Sequence, residues 1–289
     1  MKDVIFCIDI GGTKTAYAAY TADGEELVYN KFPTRPERGA DDLVERLRSA
    51  ASVDLDGYRI VRGVVASPGP LDARNGVIID VVTMGWKNVA LTDKLQQAFG
   101  VTFSLLNDCD AGALGVWRYG GYAHCRSLAY VSISTGIGGG AIVDGKLVTG
   151  RGNAADFGHI PVLGDRRKCG CGRMDCLELY ASGSGIERLW RELTGQPLPC
   201  ATIADLARKG NVDARSVFMR AGKRLAQGVG AIKAILDPEV IVFGGSVTKA
   251  GDLFFPTYQS LSGEAEVLLA NEDGKQVLLG CLAFATTEQ

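Results

Sequence analysis

The sequence predicts an α/β fold built from two related lobes, on three observations. A strand, a glycine-rich turn, a second strand and an Asp-Gly turn follow one another at 8–24, and the same series returns at 131–145. Apolar runs that fit buried strands alternate with helical patterns through the first hundred residues. The second half is richer in helix and closes on one more buried strand at 240–243, followed by Gly244 and Gly245.

The elements follow in order. β-prone residues at 4–10 and 15–20 flank Gly11-Gly12, and Asp23-Gly24 supplies the next turn. The spacing of Leu43, Val44 and Leu47 predicts a helix over 40–49, and 60–66 reads as a buried strand. Thr92 is placed to cap a helix that Gly100 ends, before a strand over 101–106. A helix over 111–118 and a strand over 128–133 lead into the second glycine-rich turn. Helical patterns then occupy 178–193, 203–209 and 214–236, the last stopped by Pro238. The expected lobes are 1–106 and 107–276, with 277–289 packing back on the first.

Composition narrows the partners. The 289 residues are 46% hydrophobic and 22% charged, which suffices for a large core or for two lobes around a central cleft. The net charge is only −2 and the basic residues are scattered, which argues against a nucleic-acid or anionic-membrane partner and for small molecules. The opening apolar run already contains Asp9 and turns at Gly11-Gly12, unlike a secretory signal, and no stretch reaches membrane-spanning length; a cytoplasmic protein is expected.

Four segments carry chemistry. Asp9-Ile-Gly11-Gly12-Thr13-Lys14 follows a strand and bends the chain where backbone amides would face an anion, with Asp9 beside it to hold magnesium through water. A plain hairpin is the competing explanation for one such turn. The second turn, Ser134-Thr135-Gly136-Ile137-Gly138-Gly139-Gly140, has more glycine than turn geometry needs, so two turns would share a polyphosphate. Asn107-Asp108 stands between a strand and a helix, where side chains reach a cleft at the carboxyl edge of a sheet and Asp108 would accept a hydroxyl proton; helix capping is the alternative. Finally, His159, Cys169, Cys171 and Cys176 offer the one-imidazole, three-thiolate set of a closed structural zinc site, with no position left for a catalytic water.

Together these motifs resemble the ROK family of bacterial sugar kinases and related repressors, over nearly the whole chain. DIGGTK at 9–14 and STGIGGG at 134–140 are similar to its two phosphate motifs, and Gly158-His159 with CGCGRMDCLE at 169–178 to its zinc and sugar signature. The resemblance implies a two-lobed actin-like, hexokinase-type ATPase fold with ribonuclease H-like lobes, ATP and magnesium as cofactors, and a homodimer or homotetramer. It makes Asp108 the general base, gives Asn107, His159 and Glu178 the other sugar hydroxyls, and places Gly69 on a sugar-side loop. Thr135, Gly136, Gly138 and Gly139 then face phosphates, and Gly244-Gly245 lies near the adenosine. Two departures stand out. Asp156 occupies a position that is usually Glu in glucokinase-like members, and the usual Pro-Asn before the Gly-Trp turn is missing, with Val81, Val82 and Thr83 preceding Met84-Gly85-Trp86. Smaller likenesses, VASPG at 65–69 and GGSV at 244–247, point to N-acetylmannosamine kinases; glucokinases and N-acetylglucosamine kinases are the alternatives. A sugar-responsive regulator of the family would carry a DNA-binding segment ahead of the first phosphate motif, where this sequence starts eight residues before Asp9.

Overall fold

The computed structural model describes residues 1–262, 267–269 and 275–287. In chain order the first elements are β1 (Lys2–Ile10), β2 (Lys14–Tyr20), β3 (Glu26–Pro33), α1 (Gly39–Asp54), β4 (Tyr58–Ser67), β5 (Leu71–Asp72), β6 (Val77–Val81), β7 (Trp86–Ala90), α2 (Leu91–Phe99), β8 (Phe103–Asn107) and α3 (Asp108–Tyr119). There follow β9 (Leu128–Ile133), β10 (Ile137–Val143), β11 (Lys146–Leu147), α4 (Glu178–Ala181), α5 (Gly183–Thr194), α6 (Cys200–Arg208), α7 (Val212–Leu236), β12 (Val240–Gly244), α8 (Gly251–Ser262), β13 (Val267–Leu269) and α9 (Gln276–Thr287).

The chain divides into two units, Met1–His124 with Leu147–Ala154 and Asp273–Gln289, and Cys125–Lys146 with Ala155–Glu272. The first holds a sheet of order β3-β2-β1-β4-β8, in which β1 pairs antiparallel with β2 and parallel with β4. The second holds β11-β10-β9-β12-β13, in which β9 pairs antiparallel with β10 and parallel with β12. The repeated turn motifs thus report a repeated topology.

In the first unit, alternation along the strands sorts residues to two faces. Phe6, Ile8 and Tyr17 pack with Leu43 and Leu47 of α1 and Leu91 and Leu95 of α2. Cys7, Ala18 and Tyr20 pack with Ala111 of α3 and with Leu278 and Leu282 of α9. α9 packs on α3 and β1; residues 288–289 lie outside the described residues.

Two differences from the sequence reading stand out. Thr92 is not a cap: α2 starts one residue earlier, and the Thr92 hydroxyl points to the Gly76 carbonyl at 3.4 Å. The helix expected over 178–193 is broken at Ser182, which leaves helical geometry and caps α5 by accepting the Gly185 N–H at 3.0 Å. The break lets Gly185 approach the carbonyls of Glu178 and Leu179, where a Cβ would sit 2.9 Å from either oxygen.

Candidate functional site

In the first unit, the β1–β2 turn is tied inward. Gly11 N–H donates to the Lys14 carbonyl at 3.0 Å, and Thr34 braces the turn through its hydroxyl on the Gly11 carbonyl at 2.6 Å and its N–H on the Thr13 carbonyl at 2.9 Å. Gly11 thus spends its donor within the turn, which leaves Gly12, Thr13 and Lys14 as the residues facing outward. Asp9, at the end of β1, is opposite Ala66 of β4 in a parallel register. Burial pushes its carboxyl up to about 7, with the charge of Asp108 adding to the shift, so these two carboxylates share one electrostatic environment.

The register of β4 on β8 places Ser67 opposite Asn107, which brings the Gly69 loop to the N-terminus of α3. Asn107 does cap α3, its Oδ1 accepting from the N–H groups of Cys109 at 2.9 Å and Asp110 at 3.4 Å. Capping uses only the oxygen. Its Nδ2 turns towards Gly69, where a Cβ would lie 3.3 Å away. Asp108 Oδ1 accepts from Cys109 N–H at 2.9 Å, which fixes the carboxylate at the positive end of the helix.

In the second unit, the second phosphate turn and the sugar signature form one assembly. Glu178, the first residue of α4, accepts the Ile137 N–H at 3.0 Å through Oε2. A Cβ on Gly136 would collide with that carboxylate, and one on Gly139 with the Phe157 ring and the Ala155 carbonyl. Neither glycine has a positive φ. These glycines answer to close approach of the signature residues rather than to turn geometry, which explains their excess. Gly138 lies between them in β10, and Thr135 accepts the Ser184 N–H at 3.2 Å through its carbonyl. Gly244 ends β12, Gly245 takes φ +90°, and Ser246 Oγ lies 3.3 Å from Ser134 Oγ, so the Gly-Gly turn reaches the phosphate turn.

The ligand atoms of His159, Cys169, Cys171 and Cys176 lie within 4.8 Å of one another. Cys169 Sγ is 3.7 Å from His159 Nδ1, and Cys171 Sγ is 3.6 Å from Cys176 Sγ. Sulfurs about 2.3 Å from a tetrahedral zinc lie about 3.8 Å apart, so the donor set fits that ion. Backbone bonds shape the loop beforehand, Cys169 N–H to the Arg173 carbonyl at 2.8 Å and Leu177 N–H to the Ile160 carbonyl at 2.9 Å. With Nδ1 turned to the thiols, His159 Nε2 faces outward, 3.7 Å from Asp156 Oδ2. Burial raises the Asp156 carboxyl, while His159 and Arg173 oppose the shift.

The sequence pattern of the ROK family matches residues 5–279. The chain belongs to the ROK family. Over 265 residues it is 32% identical to a glucokinase of Thermotoga maritima, covering 86% of this chain and 83% of that one. Over 249 residues it is 34% identical to an N-acetylmannosamine kinase of Yersinia pestis, covering 83% and 82%. The crystal structure of a ROK family glucokinase from Streptomyces griseus in complex with glucose and AMPPNP superposes with a TM-score of 0.83 at 27% identity, over 99% of this chain and 100% of that one. The fold is the two-lobed α/β architecture of ROK hexokinase-type kinases.

Within this ROK chain the structure also shows what the sequence reading missed. Asn153 enters the Gly69 group, its Oδ1 lying 3.5 Å from where a Gly69 Cβ would be. The signal was a polar side chain just ahead of Asp156, unreadable without the fold. Trp86 is 4% exposed and donates Nε1–H to the Pro36 carbonyl at 3.0 Å, so it is core. Asp110 was overlooked altogether. It is 4% exposed, and its Oδ1 has no hydrogen-bond partner among the described residues.

Burial first, and then the charge of Asp108, pushes the Asp110 carboxyl up to about 7. The folded ROK chain therefore holds this proton more tightly than the unfolded one, whose Asp titrates near 4. The stabilising contribution is complete below about pH 4 and lost as pH rises through about 7. Asp110→Asn, which mimics the protonated acid, is expected to melt with the parent at pH 4.5 and a few degrees above it at pH 8. Scanning calorimetry at both pH values checks this, and a gap independent of pH would contradict it.

Proposed function

We propose that this ROK protein transfers the γ-phosphoryl group of ATP to the primary hydroxyl of a hexose or N-acylhexosamine, with N-acetylmannosamine as the first candidate. The observation that carries the reading is the bond from Ile137 N–H to Glu178 Oε2, which joins a phosphate-binding turn to a hydroxyl-binding signature. Phosphoryl transfer to an alcohol requires both kinds of group side by side, since positioning and charge stabilisation supply most of the catalysis.

The residues divide the work. Asp108 takes the proton of the attacking hydroxyl as general base, and Asn107 and Gly69 line the acceptor's surroundings. His159 Nε2 and Glu178 hold further hydroxyls, with Asp156 beside the imidazole in place of a longer Glu. Gly12, Thr13 and Lys14, together with Thr135, Gly136, Gly138 and Gly139, face the phosphates, and Gly244-Gly245 the nucleoside. Asp9, held near 7 by burial and by Asp108, suits a hard cation that would neutralise both charges; bound magnesium would offset the charge of the transferring phosphoryl group. Zinc on His159, Cys169, Cys171 and Cys176 would fix the loop and the imidazole tautomer and take no part in bond breaking.

Substrate choice rests on the likeness to both named relatives, and the shorter Asp156 side chain favours an acceptor with a bulky substituent near the hydroxyls it meets. A coupled ADP-release assay over N-acetylmannosamine, N-acetylglucosamine, glucose, allose and fructose tests this. The expected result is the highest kcat/KM on N-acetylmannosamine; a higher value on glucose would move the protein to the glucokinases, and ADP release indifferent to every sugar would overturn the kinase reading.

A further inference from the structure

Asp156 is presented by a backbone that its neighbours hold in an unusual shape. Ala155 takes φ +55°, in the left-handed region that residues with a Cβ avoid. Four of the seven non-glycine residues with positive φ among the described residues are Asn or Asp, whose side chains offset the cost by local hydrogen bonds; Ala155 has no such group. At Asp156 the chain turns again, with φ −73° and ψ 70°. The Phe157 N–H donates to the Ala155 carbonyl at 2.7 Å, which closes an inverse γ-turn centred on Asp156.

The surroundings over-determine this shape. Phe157 is 6% exposed, with its ring over Gly139, and a Cβ on Gly158 would lie 1.9 Å from the Ile137 carbonyl. The Ala155 carbonyl itself faces Gly139, where a Cβ would lie 2.7 Å from it. On the other side, His159 N–H donates to the Asp156 carbonyl at 3.0 Å. The segment is thus fastened to β10 and to the metal-binding loop, and the half-exposed Asp156 side chain is what the bend presents. A single methylene separates its carboxylate from the backbone, so the backbone angles at 155 and 156 decide where Oδ2 sits, 3.7 Å from His159 Nε2.

We infer that Ala155 is a positioning residue for acceptor recognition: its left-handed backbone aims the Asp156 carboxylate to the side of His159 Nε2 where the sugar's substituents lie. The inference rests on the acceptor roles of Asp156 and His159 proposed above. Because alanine takes this conformation against its own preference, tolerance of the left-handed region at 155 sets sugar affinity, and side-chain size does not.

Valine and asparagine separate these two causes, being close in size and opposite in their tolerance of positive φ. Ala155→Val is expected to raise KM for N-acetylmannosamine and for glucose about tenfold, the worth of one hydrogen bond to a charged group, and to leave KM for ATP within about twofold. Ala155→Asn and Ala155→Gly are expected to keep the parental sugar KM or lower it, and the Gly variant to melt no lower than the parent. Placed on Asp156→Ala, which removes the carboxylate, Ala155→Val is expected to cost nothing further. Equal losses in the Val and Asn variants would overturn the inference by making bulk the cause, as would a parental KM in the Val variant or additive losses in the double variant. The chain has two histidines, so the His159 ring signals can be followed by NMR without sugar. They are expected to move in the Val and Asp156→Ala variants and to stay in the Gly and Asn variants. That pattern in a protein that binds no sugar would sustain the positioning and remove the acceptor reading, whereas His159 signals unmoved by Val would overturn the positioning itself.

Discussion

Asp108→Ala is expected to lower kcat by about 10²–10⁴-fold while leaving KM for ATP within about twofold and the melting temperature no lower than the parent's. Asp108 is the first residue of α3, its carboxylate held by the Cys109 N–H at 2.9 Å. Asp108→Asn sharpens the test. It keeps an oxygen for the Cys109 N–H and loses the basicity, so a base predicts equal loss in both variants, whereas a mere helix-end group predicts near-full activity in Asn. A second consequence is electrostatic. The charge of Asp108 raises both Asp9 and Asp110, so either substitution is expected to bring those carboxyls down, read by the pH dependence of carboxyl NMR signals.

Removal of zinc is expected to have the second large effect. The purified protein is expected to contain one zinc per chain, and Cys176→Ser to lose it, melt many degrees lower and fail to saturate with sugar. Cys176 is fully buried between the bridge to Pro161 and the start of α4, so a hydroxyl there forfeits both the metal and the packing. Because metal binding to a site absent from the unfolded chain is folding free energy, its loss falls on the whole loop. On the proposed reading, His159 couples the loop to sugar affinity through its two ring nitrogens. Cys171→Ser, at the exposed ligand, is expected to bind zinc more weakly and to recover activity as zinc is added. Metal analysis with calorimetry checks both variants; a zinc-free protein with parental stability and KM would contradict the assignment.

The parts of this architecture that were legible in the sequence are those set by local chemistry. Paired glycines after a strand, the Cys and His spacing, and the Asn-Asp step between strand and helix each have a short-range cause. So does the repeat at 8–24 and 131–145, which the two sheets reproduce. The rest depends on distant packing. Gly136 and Gly139 read as phosphate-facing glycines beyond what the turn needs, and nothing in the sequence reveals Glu178 and Phe157 pressing against them. Asn153 enters the Gly69 group only through the tertiary fold. The break at Ser182 was hidden by apolar spacing that continues across it, and only the close approach at Gly185 accounts for it.

The proposed reaction is tested most directly by product analysis. Purified protein incubated with magnesium, ATP and N-acetylmannosamine, or glucose in parallel, would be followed by phosphorus and carbon NMR. The account predicts a phosphomonoester on the primary hydroxyl, formed one for one with ADP and absent with Asp108→Asn. Release of inorganic phosphate at the same rate with and without sugar, or a phosphoester formed equally well by the Asn variant, would contradict it.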